Sequence, residues 1–189
     1  NEHSLDIYRS HLITKKTIRL TEHTTDDSEP KFSFDGKKRV WVSERADVKG
    51  DIWIMDSNGA NKNRVTGNKT YDRSPVWSPD GRAIYYNCLD SFTQKPTICR
   101  VDVTTSKSET VIEDGWDPAI CSDNSTLVFI SRTENSKPHL KAINLATSEI
   151  VSLTKGNYVD AMPVVANCQT SNNMIKILFV RFAEDSNRD

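Results

Sequence analysis

Glycine supplies only 7 of the 189 residues, and no Gly-rich loop of the kind that cradles phosphate is present. A Gly-x-Ser-x-Gly elbow is absent, which removes the simplest signature of a nucleophilic hydrolase. Four cysteines occur, with no Cys-x-x-Cys pair and no histidine at ligand spacing, so no zinc pattern can be drawn. Net charge is nearly absent too: 25 basic against 26 acidic residues leave −1. That balance excludes the electrostatic footprint of a nucleic-acid binder. Lys37-Lys38-Arg39, the densest basic run, reads as a solvated hairpin tip. No stretch approaches the roughly 20 apolar residues of a spanning helix, so membrane insertion is not expected. A secretory apolar segment is also missing, which says little about compartment. Sustained 3.6-residue apolar periodicity is lacking as well, and confident helices with it.

What is present is repetition. Asp6-Ile7-Tyr8 leads to Leu20-Thr21, Asp51-Ile52-Trp53 to Val65-Thr66, Thr97-Ile98-Cys99 to Val111-Ile112, and His139-Leu140-Lys141 to Leu153-Thr154. Each step is fifteen residues, and the copies start 45, 46 and 42 residues apart. Pro30, Pro75, Pro118 and Pro163 keep the same beat at 45, 43 and 45. Periods of about 40–50 residues mark propeller blades. Short β-branched and aromatic runs, such as Arg39-Val40-Trp41-Val42-Ser43, Ala83-Ile84-Tyr85-Tyr86-Asn87 and Leu127-Val128-Phe129-Ile130-Ser131, follow Asp35-Gly36, Asp80-Gly81 and Asp123-Asn124. These turn residues tolerate the positive φ of tight hairpins. Each repeat therefore reads as four strands, A after the proline, B after the turn, C at the Asp-Ile-Trp-like segment and D near the Val-Thr. The chain is all-β.

Blades begin near 30, 75, 118 and 163, and one propeller domain is expected over residues 1–189. Residues 6–21 form a C–D hairpin and residues 163–182 an A–B hairpin, so the two halves add up to a fourth blade. Pairing them would close the ring and remove exposed sheet edges. Two other architectures remain open at this point: a fragment of a larger propeller, or two chains that exchange half-blades into one larger ring. The chain is accordingly expected as a monomer or a blade-exchanging dimer.

Asp72-Arg73-Ser74-Pro75-Val76-Trp77-Ser78-Pro79-Asp80-Gly81-Arg82, preceded by Asp51-Ile52-Trp53-Ile54-Met55-Asp56, resembles the repeat of TolB-type β-propellers. Asp27-Ser28-Glu29-Pro30-Lys31-Phe32-Ser33-Phe34-Asp35-Gly36 matches well, and Asp117-Pro118-Ala119-Ile120-Cys121-Ser122-Asp123-Asn124 less so. The fourth repeat keeps Asp160-Ala161-Met162-Pro163, but Cys168-Gln169 replaces Asp-Gly and residues 170–174 are extra. The resemblance covers nearly the whole chain and implies the fold. It includes the Tol–Pal envelope component, serine-peptidase propellers and oligogalacturonate lyases, so it does not by itself give a function. Likeness to an envelope component implies a periplasmic or extracellular location.

The candidate chemistry sits in the D–A loops. Asp27, Asp72 and Asp160 each lie three residues before the repeat proline, where the third repeat has Gly115 between Asp114 and Asp117. Such carboxylates at a channel mouth suit Ca²⁺. Their repetition favours a structural Asx-turn instead, and no cofactor is expected. A metal-dependent lyase would need converging histidines, and only His23 of the four falls in a D–A loop. The chain is therefore expected not to be an enzyme. It reads as a scaffold for a protein or peptide partner, with Asp27, Asp72, Trp116, Tyr158 and Asp160 as binding candidates. The acidic and aromatic loop composition favours a cation-bearing partner. A small-ligand, carbohydrate or metal site built from Asp27, Asp72, Asp114, Asp160 and His23 is the alternative. The cysteines are expected as buried thiols rather than disulfides.

Overall fold

The computed structural model describes residues 4–67, 70–89, 95–132, 137–165 and 176–183. Sixteen strands and no helix occur among the described residues. Three complete antiparallel blades follow one another. Blade 1 is β3 (Asp27–Phe32), β4 (Lys38–Ser43), β5 (Asp51–Asp56) and β6 (Asn63–Arg64). Blade 2 is β7 (Arg73–Trp77), β8 (Ala83–Leu89), β9 (Pro96–Asp102) and β10 (Ser108–Glu113). Blade 3 is β11 (Gly115–Ile120), β12 (Thr126–Ser131), β13 (His139–Asn144) and β14 (Ile150–Ser152). They are flanked by the hairpin of β1 (Tyr8–Ser10) and β2 (Thr17–Arg19) and by that of β15 (Tyr158–Val165) and β16 (Ile177–Ala183). The all-β propeller expected from the repeat is what forms. Among the described residues, the two flanking hairpins stay separate two-stranded sheets, with no ladder joining residues 6–21 to residues 163–182.

Why the blades stack follows from the period of two along each inner strand. In β4, Val40 and Val42 face blade 2, whereas Trp41 faces the β1–β2 hairpin. In β8, Ile84, Tyr86 and Cys88 face blade 1, and Tyr85 faces blade 3. In β12, Leu127 and Phe129 face blade 2, and Val128 and Ile130 face the β15–β16 hairpin. Both faces of every central strand are therefore apolar and buried. A strand that is hydrophobic on both alternations has nowhere to go except between two other sheets.

The landmark prolines mark bulges. Each inner strand begins before its proline and shifts register there, between Ser28 and Lys31, Arg73 and Val76, Trp116 and Ala119, and Ala161 and Val164. A bulge leaves one residue outside the ladder, which suits a residue with no N–H to give. The residues just before the prolines, Glu29, Ser74, Asp117 and Met162, all take φ of +52° to +54°.

The A–B turns are built as expected. Gly36 and Gly81 have φ of +70° and +69°, and Asn124 at +61° stands in their place in blade 3. Ser78 Oγ donates to Asp80 Oδ1 at 2.6 Å and accepts the Ala83 N–H at 2.9 Å, while the Arg82 N–H donates to Asp80 at 3.0 Å. Ser33, Asp35, Lys37 and Lys38 repeat the same pattern in blade 1. The serine hydroxyl and then the backbone N–H hold both Asp35 and Asp80 below the ordinary carboxylate range.

The cysteine expectation is corrected. Cys88 and Cys99 form a disulfide with a Cα–Cα distance of 6.0 Å, and Cys121 is disulfide-bonded as well. Cys168 lies outside the described residues. The β8–β9 register explains the first bridge: Cys88 sits opposite Thr97 and Cys99 opposite Tyr86, so the two thiols are diagonal neighbours on one face. Six ångströms is within the span a disulfide bridges without moving the backbone.

A Cβ at Gly81 would meet nothing within 4 Å, so its replacement tests the backbone alone. Gly81→Ala is expected to lower the unfolding free energy by about 1 kcal/mol or more, read from a denaturant midpoint. An unshifted midpoint would contradict the positive-φ hairpin.

Candidate functional site

The N-terminal ends of the A and C strands and the C-terminal ends of the B strands lie together at one end of the blades. The buried aspartates tie that end down. In β5 the Ile52 N–H donates to Thr66 Oγ1 at 2.9 Å, and Thr66 hydrogen-bonds Asp72 of the next blade. In β13 the Leu140 N–H donates to Thr154 Oγ1 at 3.0 Å, and Thr154 donates to Asp160 at 2.5 Å. Ile7 and Thr21 make the same strand contact at 2.9 Å. Asp27 instead accepts from Trp41 Nε1 at 3.0 Å and from Arg45 at 2.6 Å. The fifteen-residue step thus contains a hydroxyl clasp fourteen residues long: strand C gives an N–H to the threonine that closes strand D.

The third repeat shows the rule by its exception. Ile112 replaces the threonine and Gly115 the aspartate. A Cβ at Gly115 would lie 2.7 Å from Ile112 Cγ2 and 3.0 Å from the Phe129 ring. Apolar packing fills the place where the other blades have hydroxyl and carboxylate.

Asp27, Asp72 and Asp160 are all buried, each inside its own blade junction, and they do not converge on a shared centre. No group of three or more His, Cys, Asp or Glu side chains suited to a metal occurs among the described residues. His23 pairs locally with Thr25 at 2.9 Å. Burial opposes the charge of Asp160, but Arg181, Thr154 and His139 overrule it and hold the carboxyl at about 2. Asp72 goes the other way. Burial, opposed by Thr66 and Thr70 and assisted by Asp51, pushes it up from 3.8 to about 7, and its Oδ2 has no partner among the described residues.

Two concave surfaces among the described residues are large enough to take a ligand. One is a cavity of about 550 Å³ between blades 2 and 3, lined by Tyr71, Arg73, Leu89, Pro96, Asp114, Trp116 and Arg132. It joins a D–A loop (Tyr71), the next D–A junction (Asp114, Trp116) and both ends of the B–C loop (Leu89, Pro96). Residues 90–94 and 133–136 of the B–C loops lie outside the described residues. Trp116, which the sequence reading placed in a D–A loop, lies within β11 and lines this cavity together with Tyr71. Tyr158 lies elsewhere, stacked 4.9 Å from the Arg181 guanidinium. Arg73 pairs with Glu44 at 2.9 Å and Asp114 with Lys95 at 3.2 Å, so charge at the rim is mixed.

The second is a groove of about 640 Å³ along the inner strands, with Glu29, Ser74, Asp117 and Met162 on its wall. Glu29 Oε2 accepts the Ser74 N–H at 2.5 Å, Ser74 Oγ reaches Asp117 at 3.3 Å, and the Asp117 N–H donates to Asn87 at 2.8 Å. Sequence reasoning passed over Glu29, Ser74 and Met162 as site residues and named Asp117 only among the acidic residues around Gly115. Their one signal was position, directly before each landmark proline.

No family model matches the chain. The Tol-Pal system protein TolB of Polaromonas naphthalenivorans is 30% identical over 107 residues, covering 52% of this chain and 24% of that protein. TolB of Francisella tularensis (strain SCHU S4) is 25% identical over 170 residues, 86% of this chain and 38% of that one. The chain therefore spans about a quarter to two fifths of these curated relatives. Among solved structures, TolB of Acinetobacter baumannii superposes with a TM-score of 0.66 at 21% identity, over 80% of this chain and 38% of that one. An oligogalacturonate lyase in complex with manganese gives 0.65 at 16% identity, over 79% and 42%. A puromycin hydrolase gives 0.64 at 15%, over 80% and 25%. The expectation that this chain is not an enzyme is corrected by these last two. Missing motifs do not separate it from a fold that catalytic proteins share, because blades can carry catalytic groups on loops or support another domain.

Asp72 supplies a test. A carboxyl whose folded value is raised binds its proton more tightly folded than unfolded, so stability falls as pH rises from about 4 to about 7 and is flat above. Asp72→Asn is expected to remove a fall of the order of a few kcal/mol across that window, measured by denaturation at pH 5 and pH 8. Equal pH slopes for both proteins would contradict the buried carboxyl.

Proposed function

We propose that this TolB-like β-propeller is a protein-interaction scaffold and that a partner docks in the cavity between blades 2 and 3. The observation that carries this reading is the meeting of Tyr71 and Trp116 with Leu89 and Pro96 around one opening. Aromatic side chains on a rigid frame give large contact area at low entropic cost, and interface hot spots are enriched in them. The mixed rim selects for an apolar anchor more than for net charge, which revises the cation-bearing partner expected from loop composition. Likeness to proteins of the Tol-Pal system supports a protein of that system as the partner. Disulfide bonding at Cys88, Cys99 and Cys121 supports an oxidising compartment, the periplasm or the extracellular space.

Calorimetric titration with each soluble Tol-Pal protein of the source organism tests the reading. Tyr71→Ala with Trp116→Ala is expected to weaken binding by roughly tenfold or more, as hot-spot truncation does. Tyr158→Ala, outside the cavity, is expected to leave affinity unchanged. No binding by the wild type, or equal affinity of the double variant, would contradict it.

A further inference from the structure

Three charged side chains line the cavity between blades 2 and 3, and two of them are neutralised by neighbours. Arg73 pairs with Glu44 at 2.9 Å and Asp114 with Lys95 at 3.2 Å. Arg132, the third, has no hydrogen bond, ion pair or ring contact among the described residues. The repeat explains why. Asp27 lies opposite Ser43 in blade 1 and Gly115 opposite Ser131 in blade 3, so the residues that follow, Glu44 and Arg132, hold corresponding places. Glu44 reaches across its junction to Arg73, the residue after Asp72. At the junction after blade 3, the residue that follows Asp160 is Ala161. A methyl group stands where the pattern of blade 1 would put a charged partner for Arg132.

Trp116 adds a second unclaimed donor. Its indole N–H has no acceptor among the described residues, and unlike those of Trp53 and Trp77 it is not shut away from the surface. The acceptors of the lining are taken. Asp114 is held by Lys95, and Asn87 Oδ1 accepts the Asp117 N–H at 2.8 Å. What the cavity still offers is therefore two donors, one of them cationic, beside the apolar surface of Leu89 and Pro96. A guanidinium is a planar fork that matches a carboxylate, and bonds between charged groups are the strong ones. Net charge counts for little here because the rim pairs cancel. A single anionic acceptor is what the lining lacks.

We propose that the partner segment filling this cavity carries a Glu or Asp side chain next to its apolar anchor, and that Arg132 and the Trp116 N–H receive that carboxylate. This rests on the reading of the cavity as the docking site and names the chemistry it selects. Chain-end carboxylates are captured by runs of backbone N–H groups. The donors here are two side chains, so the carboxylate belongs to a side chain within the segment.

Selection from a displayed library of random peptides, joined to their carrier at the C-terminus, tests it. Peptides are kept that bind the wild type and are lost on Tyr71→Ala, a position 48% exposed whose truncation leaves the core packed. They are expected to share an acidic residue beside a large apolar one. Arg132→Gln, also at an exposed position, is expected to weaken them roughly tenfold or more. Replacing the acidic residue of the peptide by its amide should cost as much on the wild type and nothing further on Arg132→Gln, the mark of a direct pair. Tyr71-dependent peptides that lack an acidic residue, or that bind Arg132→Gln equally well, would overturn the proposal and leave the cavity as the docking site. A parallel library with free C-termini that alone yields binders would overturn it too, in favour of a chain end. Recovery of no Tyr71-dependent peptide from either library would overturn the docking reading itself, and this inference with it.

Discussion

Everything in this molecule depends on strands that are apolar on both faces. Trp41, Trp77, Tyr86, Phe129 and Leu140 are fully buried because each central sheet is pressed between two others. Area bookkeeping of about 25 cal/mol per Å² makes burial of such side chains the main favourable contribution to folding. It also dictates the architecture, since a two-faced sheet cannot end against water without exposing apolar surface. The blades follow from that constraint.

Polar groups then decide where each blade sits. Buried Asp27, Asp72 and Asp160 satisfy threonine, tryptophan and arginine donors at the blade junctions. Unpaired buried donors cost more than paired ones gain, so these contacts fix register and loop path more than they add stability. They also hold the loop-bearing end rigid. Tyr71 follows the Thr70 hydroxyl that bonds Asp72 at 3.1 Å, and Trp116 follows the packed Gly115. The aromatic cavity is therefore presented by the same junctions that assemble the propeller.

Much of this was legible in the chain. The fifteen-residue step could be read because one local contact, an N–H of strand C to a threonine fourteen residues on, recurs at fixed spacing. Asp-Gly turns were legible because φ near +70° restricts residue type. The Cys88–Cys99 bridge was not, since eleven residues of separation do not say which side of a ladder two thiols share. The wall of Glu29, Ser74 and Asp117 was hidden for a similar reason: left-handed φ before proline comes from the bulge, not from those residue types. That Tyr71, Leu89 and Pro96 meet Trp116 depends on how two blades pack, which no single repeat encodes.

Amide hydrogen exchange, with the chain free and then saturated by a Tol-Pal partner, tests the account most directly. Protection on binding should appear around residues 70–74, 95–98 and 113–117, with the clasped amides of Ile52 and Leu140 slow in both states. Protection confined to residues 29–34 and 162–165 would place the partner in the inner groove instead. Fast exchange at Ile52 and Leu140 in the free chain would contradict the clasped, two-faced blades on which the account is built.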